Sequence, residues 1–443
     1  MSALANSLAT QFREHFNKLP GADNPSIVAM RKRAFSHFEA TPMPTTKHED
    51  WKYTDIRPLY DTTYTALNEA SESDFEDLHL SDLPLPTFTP HVVVFLDDQF
   101  CRRLSNVGAL PKGVELTTIK SLLQRKSPTI IDHMEGFDTA FPSLNSALLR
   151  DGIYVDLEPG TNMVEPIHVV FLSPHGKAPR LNSARLIVNG QNNSRCVIVE
   201  SHYNLSGAQS MTNALTQIYA REGARVLHHR IQIGETAAHH IGNVFATVEK
   251  DAEVETYSFA FGGGIARIDV NADLIGSGAN VVLNGLFMVN DRQHIDHHTR
   301  VRHRMPHTNS TENYKGIADG DGRGVFNGKI LVEKNAQKVK ALQSSRNLLL
   351  ADNAEIDTKP ELEIYADDVS CAHGATVGQL DEDAFFYLRS RGIDEQTARS
   401  ILTFAFAAEI PGDISIVDLR KWLEGLIIDR TNAIGLNTVR HDE

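Results

Sequence analysis

Apolar side chains at Leu4, Leu8, Phe12 and Phe16 recur every four positions, which places them on one face of a helix. Asn24-Pro25 then supplies an N-cap followed by a proline at the first helical position, and Ile27, Met30, Ala34 and Phe38 form the buried stripe of a second helix. Thr41-Pro42-Met43-Pro44 ends it, because a residue before proline is driven out of the helical region. The stretch from 62 to 90 is acidic and proline-bearing and is expected as an irregular linker. The pattern thus predicts a helical region with its linker over 1–90, followed by a mixed α/β lead-in over 91–151.

From 152 to 378 the helical spacing disappears. Short runs rich in Val, Ile and Phe alternate with Gly, Asn and Asp, the composition of strands and turns. A corner residue followed by a small or polar one recurs at Gly160-Thr161, Asn193-Ser194, Gly223-Ala224, Asp251-Ala252, Gly278-Ala279, His307-Thr308 and Asn335-Ala336, at intervals of 33, 30, 28, 27, 29 and 28 residues. A sandwich has no reason to keep such a period. A solenoid does, because each coil repeats one turn geometry, and Gly, Asn and Asp tolerate the positive φ that tight corners require. The expectation is a mainly β protein with a parallel β-helix core. A large antiparallel barrel is disfavoured because Asn-Gly hairpin turns are sparse.

Helical language returns over 379–443. Asp381 and Asp394 are candidate N-caps, with Gly392 between the two helices they start. The second, through Ala398, Ile401, Leu402, Phe404, Phe406 and Ala408, is apolar nearly all round, so a surplus face is left for a partner. Phe404 and Phe406 lie about 200° apart on a helix, so only one is expected to face the core. A final helix carries Leu419, Trp422, Leu423, Leu426 and Ile427. Helices at both ends are expected to cover the open edges of the β-helix.

Composition narrows the function. The 443 residues carry 57 Asp and Glu against 43 Lys and Arg, a net charge of −14, which argues against broad binding to nucleic acid or anionic membrane. No apolar run is long enough to cross a bilayer, and no basic n-region with an apolar h-region opens the sequence, so a cytoplasmic location is expected. The three cysteines, Cys101, Cys196 and Cys371, form no CxxC pair; an odd, scattered set fits a reducing compartment.

Several motifs fail on their chemistry. Gly322 to Ile330 resembles a phosphate loop but has the wrong spacing, and Ile330 stands where a magnesium-binding hydroxyl belongs, so ATP hydrolysis is not expected of this chain. His294, His297, His298, His303 and His307 include no pair two apart in a strand and are expected as solvated or hydrogen-bonded histidines on the coil surface. Asp367-Asp368 point to opposite faces of a strand, which weakens the alternative of a β-helical carbohydrate-active enzyme. Cys371 and His373 lie two apart, share a strand face, and pair a thiol with an imidazole; both are recognised iron ligands. A buried cysteine beside a hydrogen-bonded histidine, in a purely structural adaptor, accounts for the same residues.

The run Glu361-Leu362-Glu363-Ile364-Tyr365-Ala366-Asp367-Asp368-Val369, continued by Ser370-Cys371-Ala372-His373-Gly374-Ala375-Thr376-Val377-Gly378, resembles the signature of the SufB/SufD family of iron–sulfur cluster assembly proteins. So do Phe386-Tyr387-Leu388-Arg389-Ser390-Arg391-Gly392-Ile393, Tyr314-Lys315-Gly316-Ile317 and Val325-Phe326-Asn327-Gly328-Lys329-Ile330. Lys47-His48-Glu49-Asp50-Trp51-Lys52-Tyr53-Thr54 and the Cys371-x-His373 pair are similar to the SufD branch. The resemblance implies a right-handed parallel β-helix between helical domains, in a non-catalytic scaffold subunit. Its partners would be SufB and the ATPase SufC, with self-association when isolated. It further implies that Cys371 and His373 contribute to a transient iron–sulfur cluster shared with SufB, none being stably held by the chain alone. The C-terminal residues Phe386, Leu388, Ile401, Phe404 and Phe406 are the candidate SufC-docking surface.

Overall fold

The computed structural model describes residues 3–67, 78–83, 85–125, 128–134, 136–173, 178–204 and 209–438. The chain is mostly β, 42% strand, with a solenoid of about eight turns over residues 153–378. Each coil contributes one strand to each of two sheets. Arg195–Asn204, Arg225–Gly234, Glu253–Gly262, Asn280–Val289, Asn309–Ala318, Val339–Leu349 and Val369–Gly378 pair in parallel in the first sheet. Arg185–Gly190, Ser210–Ala220, Ala238–Val248, Ile265–Leu274, His294–His303, Arg323–Val332 and Glu355–Ile364 pair in parallel in the second. Among the described residues antiparallel pairing is confined to the lead-in strands, as between Val114–Thr118 and Ile153–Leu157. The pairing is in register, so side chains of one type of position stack from coil to coil and line a continuous lumen.

The corners explain the period. Gly160, Asn193, Gly223, Asp251, Gly278 and His307 all adopt φ between 52° and 76°. The Asn193 N–H donates to Glu222 O at 2.9 Å, Gly223 N–H to Lys250 O at 2.9 Å and Asp251 N–H to Ser277 O at 3.0 Å, a hydrogen-bond ladder running along the corner. The residue after each corner from Ser194 to Thr308 is at most 1% exposed. The seventh corner differs from expectation. Ala336 is buried, but Lys338 rather than Asn335 takes the positive φ, at 62°. The longer turn after Val332 hands the ladder on through Lys338 N–H to Asp368 O at 2.6 Å.

The helices lie on the outer faces of the solenoid. Ala3–His15, Pro25–Ala40 and Ala140–Leu148 pack on the second sheet against Leu181, Met211, Ile241 and Ile265. Asn24 caps the second of these, its side chain accepting from the Ser26 N–H at 3.0 Å. The stretch 62–90 carries no strand or α-helix among its described residues, positions 68–77 and 84 lying outside them. It is fastened rather than loose, since Tyr64 is fully buried and Thr65 bridges to Arg180. Glu382–Ser390, Glu395–Ala407 and Val417–Thr438 follow the solenoid, and Leu419, Leu423 and Ile427 pack on Phe259, Phe261 and Leu286 of the first sheet. The expectation that they cover the open edge is therefore corrected. The helices bury the apolar outer face around Phe259, Phe261 and Leu286 and leave the last coil largely exposed.

Candidate functional site

The final coil is built from Glu355–Ile364 and Val369–Gly378, and each of these strands ends its sheet with a neighbour on one side only. Their outer backbone edges are unpaired among the described residues, a row of free donors and acceptors. Cys371 stacks on Ala341, and His373 on Gln343. Ala341 and Gln343 are buried lumen residues, so Cys371 and His373 share the lumen face at its open end. Cys371 is half-buried and packs on the lumen core, whereas His373 is exposed. Burial pushes the Cys371 thiol up, and a hydrogen bond involving the Ala341 backbone only partly counters it. The resting group is a thiol that a metal ion would convert to thiolate on binding. Among the described residues no three His, Cys, Asp or Glu side chains gather into a metal-holding group.

Behind this mouth the lumen is polar to an extent that the sequence reading missed. Gln343 donates to Glu312 Oε1 at 3.2 Å, and the Thr299 hydroxyl donates to Glu312 Oε2. Burial pushes the Glu312 carboxyl up to about 7. Deeper in, Glu200 meets His202 at 2.6 Å, His228 at 2.9 Å and the Thr216 hydroxyl at 2.7 Å, with Arg230 at 3.8 Å. Burial opposes charge on Glu200, but hydrogen bonds to His202 and His228 and the nearby Arg230 together hold its carboxyl well below the usual range. Gly242 is required opposite Arg230, since a Cβ there would lie 2.3 Å from the guanidinium. The signal was present in the alternation: Cys196, Ile198, Glu200 and His202 share one parity, and the first two are core residues.

The histidine-rich strand also needs correction. His297 and His303 are not on the coil surface but face the lumen, at 1% and 0% exposure. The strand's parity puts them inside with Ile295 and Val301. His303 bonds Thr308 and Ser310 at 2.8 and 3.0 Å. His294 bonds Thr54 at 2.8 Å and His298 pairs with Asp296 at 3.0 Å, both beneath the N-terminal segment.

On the C-terminal helices, Phe386 is 73% exposed, Tyr387 56% and Ile401 42%, while Leu388 is half-buried. Phe404 and Phe406 do not divide between core and surface as expected. Both are half-buried against the same apolar cluster, because this helix touches the sheet on one side and the long final helix on another. Phe406 is further engaged by Lys315, whose Nζ lies 4.2 Å from the ring centre and donates to the Phe406 carbonyl at 2.7 Å.

Two family models match the chain. Residues 2–169 match the SufBD protein N-terminal region, and residues 173–406 match the SufBD core domain of the SUF system for FeS cluster assembly. The chain is 30% identical to the iron-sulfur cluster assembly protein SufD of Escherichia coli, over 84% of this chain and 85% of that one. It is 29% identical to an iron-sulfur cluster assembly SufBD family protein of Synechocystis, over 93% and 92% of the two chains. With a chloroplastic protein of Arabidopsis thaliana, ABCI7, the identity is 27% over 91% and 86%.

Proposed function

The chain belongs to the SufBD family as a SufD-like iron–sulfur cluster assembly protein, and from that premise we propose that it is the non-catalytic scaffold subunit that pairs with SufB around the mouth of its lumen. The observation that carries this reading is the last coil. Cys371 and His373 share its lumen face, and the edges of both sheets there are unpaired among the described residues. A second solenoid can continue those sheets by strand addition, which buries the free backbone groups of both partners. The junction then encloses Cys371 and His373. A cluster normally takes four protein ligands, so a thiolate and an imidazole from this chain provide half a site, and SufB completes it. The cluster is cargo, built there and passed on.

The C-terminal helices offer SufC an apolar surface around Phe386, Leu388 and Ile401, with Phe404 and Phe406 packed on the apolar cluster behind it. Energy from ATP enters through SufC; this chain hydrolyses none. The work takes place in the cytoplasm, where unpaired thiols stay reduced.

The test is the cluster content of the complex co-expressed with SufB and SufC, read by absorbance and by iron and sulfide analysis. Cys371→Ser with His373→Ala should leave the complex assembled and strip it of most of its cluster. Cys101→Ser and Cys196→Ser should leave the cluster content unchanged. Full content in an intact complex carrying the Cys371→Ser, His373→Ala pair would reduce the chain to a structural adaptor.

A further inference from the structure

Between the layer of Glu200 and that of Glu312, one coil of the lumen is lined by small side chains. Glu253–Gly262 turns Thr256, Ser258 and Ala260 inward, and Ile265–Leu274 turns Ala266 and Ile268 inward from the opposite sheet. Longer side chains reach toward this coil from both sides. On the Glu200 side, Arg230 is in register with Ser258 and extends across the lumen to Gly242. On the mouth side, Gly285 follows Ser258 in the column, and the Tyr314 ring leans back over it, filling the place a Cβ would take. His297 enters from the opposite sheet on the coil of Gly285 and meets the Tyr314 ring edge-on, 5.5 Å between centres.

These groups are buried and unmatched. Arg230, Thr256, Ser258, His297 and Tyr314 are each at most 1% exposed. The Nε and Nη1 groups of Arg230, both ring nitrogens of His297 and the hydroxyls of Thr256, Ser258 and Tyr314 have no hydrogen-bond partner among the described residues. Glu200 stands 3.8 Å from Arg230 Nε, too far for a hydrogen bond but near enough to balance the charge. A buried polar group without a partner is costly, and here five side chains on neighbouring coils share the fault, so together they mark a place where a hydrogen-bonding ligand sits.

We propose that this stretch of the lumen binds a cluster of internal water molecules that bridges Arg230 to His297 and Tyr314. The chemistry of the groups selects water over an ion. The charge of Arg230 is already balanced by Glu200, so an added anion would be a buried charge without a counterpart, and the guanidinium would repel a cation. Burial pushes the His297 imidazole down to about 3, so the ring is neutral, with one nitrogen that donates and one that accepts. Water both donates and accepts, and so serves the guanidinium, the hydroxyls and both ring nitrogens. One water spans about 6 Å between its partners. The coils of Arg230 and His297 are two strand spacings apart, about 10 Å, so the bridge takes about two molecules. The cluster is independent of Cys371 and of SufB.

Tests use the full chain. Tyr314→Phe removes only the hydroxyl. With that hydroxyl bonded to water, the urea midpoint should fall; in a dry lumen the same change is neutral or stabilising, because an unmatched buried group goes with it, and that result overturns the proposal. Oxygen-17 relaxation dispersion of the solvent counts long-lived internal waters. Ser258→Leu, which fills the coil with an apolar side chain, should lower the count by about two. Thr256→Val takes its place should circular dichroism show the leucine variant unfolded, with an expected loss of about one. An unchanged count in a folded variant overturns the proposal. A crystal structure should show water within hydrogen-bond distance of Arg230 Nη1, the Ser258 hydroxyl and a His297 ring nitrogen. A bromide soak that puts anomalous density there instead would make this an anion site and overturn it as well.

Discussion

Cys196 and Cys371 stand at opposite ends of one column of lumen residues, separated by Val226, Val254, Val281, Ser310 and Ala341. The two are the same residue at the same position of the repeat. Cys196 is 3% exposed and burial pushes its thiol up to about 12, while Cys371 is half-buried at an open mouth. The two buried glutamates differ in parallel. Glu200, among the early coils, is locked as an anion by two histidines and an arginine, whereas Glu312, two coils from the mouth, bonds a hydroxyl and a carboxamide. The repeat sets where a side chain points. The distance from the open end, and the partners within reach, decide whether it is inert or available.

The largest effect is expected deep in the lumen, at Glu200. Glu200→Leu leaves Arg230 as a buried charge whose carboxylate is gone, and removes the partner of His202 and His228. Breaking a buried pair from one side costs about 3–5 kcal/mol. Adding Arg230→Met to Glu200→Leu should recover much of that loss, because the stranded charge goes with it. Urea unfolding of both variants measures this, and a double variant less stable than the single one would deny that the pair is electrostatically coupled.

Glu312 should behave oppositely. Its carboxyl is raised from the ordinary 4.5 to about 7, so the folded protein holds a proton that the unfolded chain has already released. The stability tied to that proton is complete below about pH 4.5, falls as the pH rises, and is gone above about pH 7. Glu312→Gln cannot ionise and keeps an oxygen for the Thr299 hydroxyl. Relative to this variant the parent chain should lose up to about 3 kcal/mol between pH 4.5 and 8. Parallel urea midpoints for the two proteins across that range would contradict the assignment.

Much of this was legible in the residues. Six of seven corners were marked by Gly, Asn, Asp or His at a near-constant spacing, because positive φ leaves few choices. The face shared by Cys371 and His373 followed from strand parity alone. The lumen charges were harder to foresee. Glu200, Arg230 and Glu312 look like surface residues by type, and only the parity set by Cys196 and Ile198, or by Ser310 and Tyr314, turns them inward. The position of the C-terminal helices was not legible either. Their apolar faces said that something is covered, but the choice between the sheet face and the coil end is decided by Phe259, Phe261 and Leu286, which lie more than a hundred residues upstream.

The smallest effect sharpens the comparison of the two cysteines. A serine at position 196 puts a hydroxyl among Ile198, Val226 and other apolar lumen residues, where burying it without a partner costs about 1–3 kcal/mol. The same change at position 371 places the hydroxyl at the open mouth, where water can reach it, and should cost less than about 0.5 kcal/mol. The thiols themselves can be counted as a second measure. In the native chain a maleimide should label Cys371 and spare Cys101 and Cys196, which are buried at 2% and 3%, and all three should react once urea unfolds the protein. When the native chain is mixed with SufB, labelling of Cys371 should fall, because strand addition at the last coil closes the mouth over it. Equal labelling of Cys371 in the free chain and in the SufB complex would place that partner on another surface.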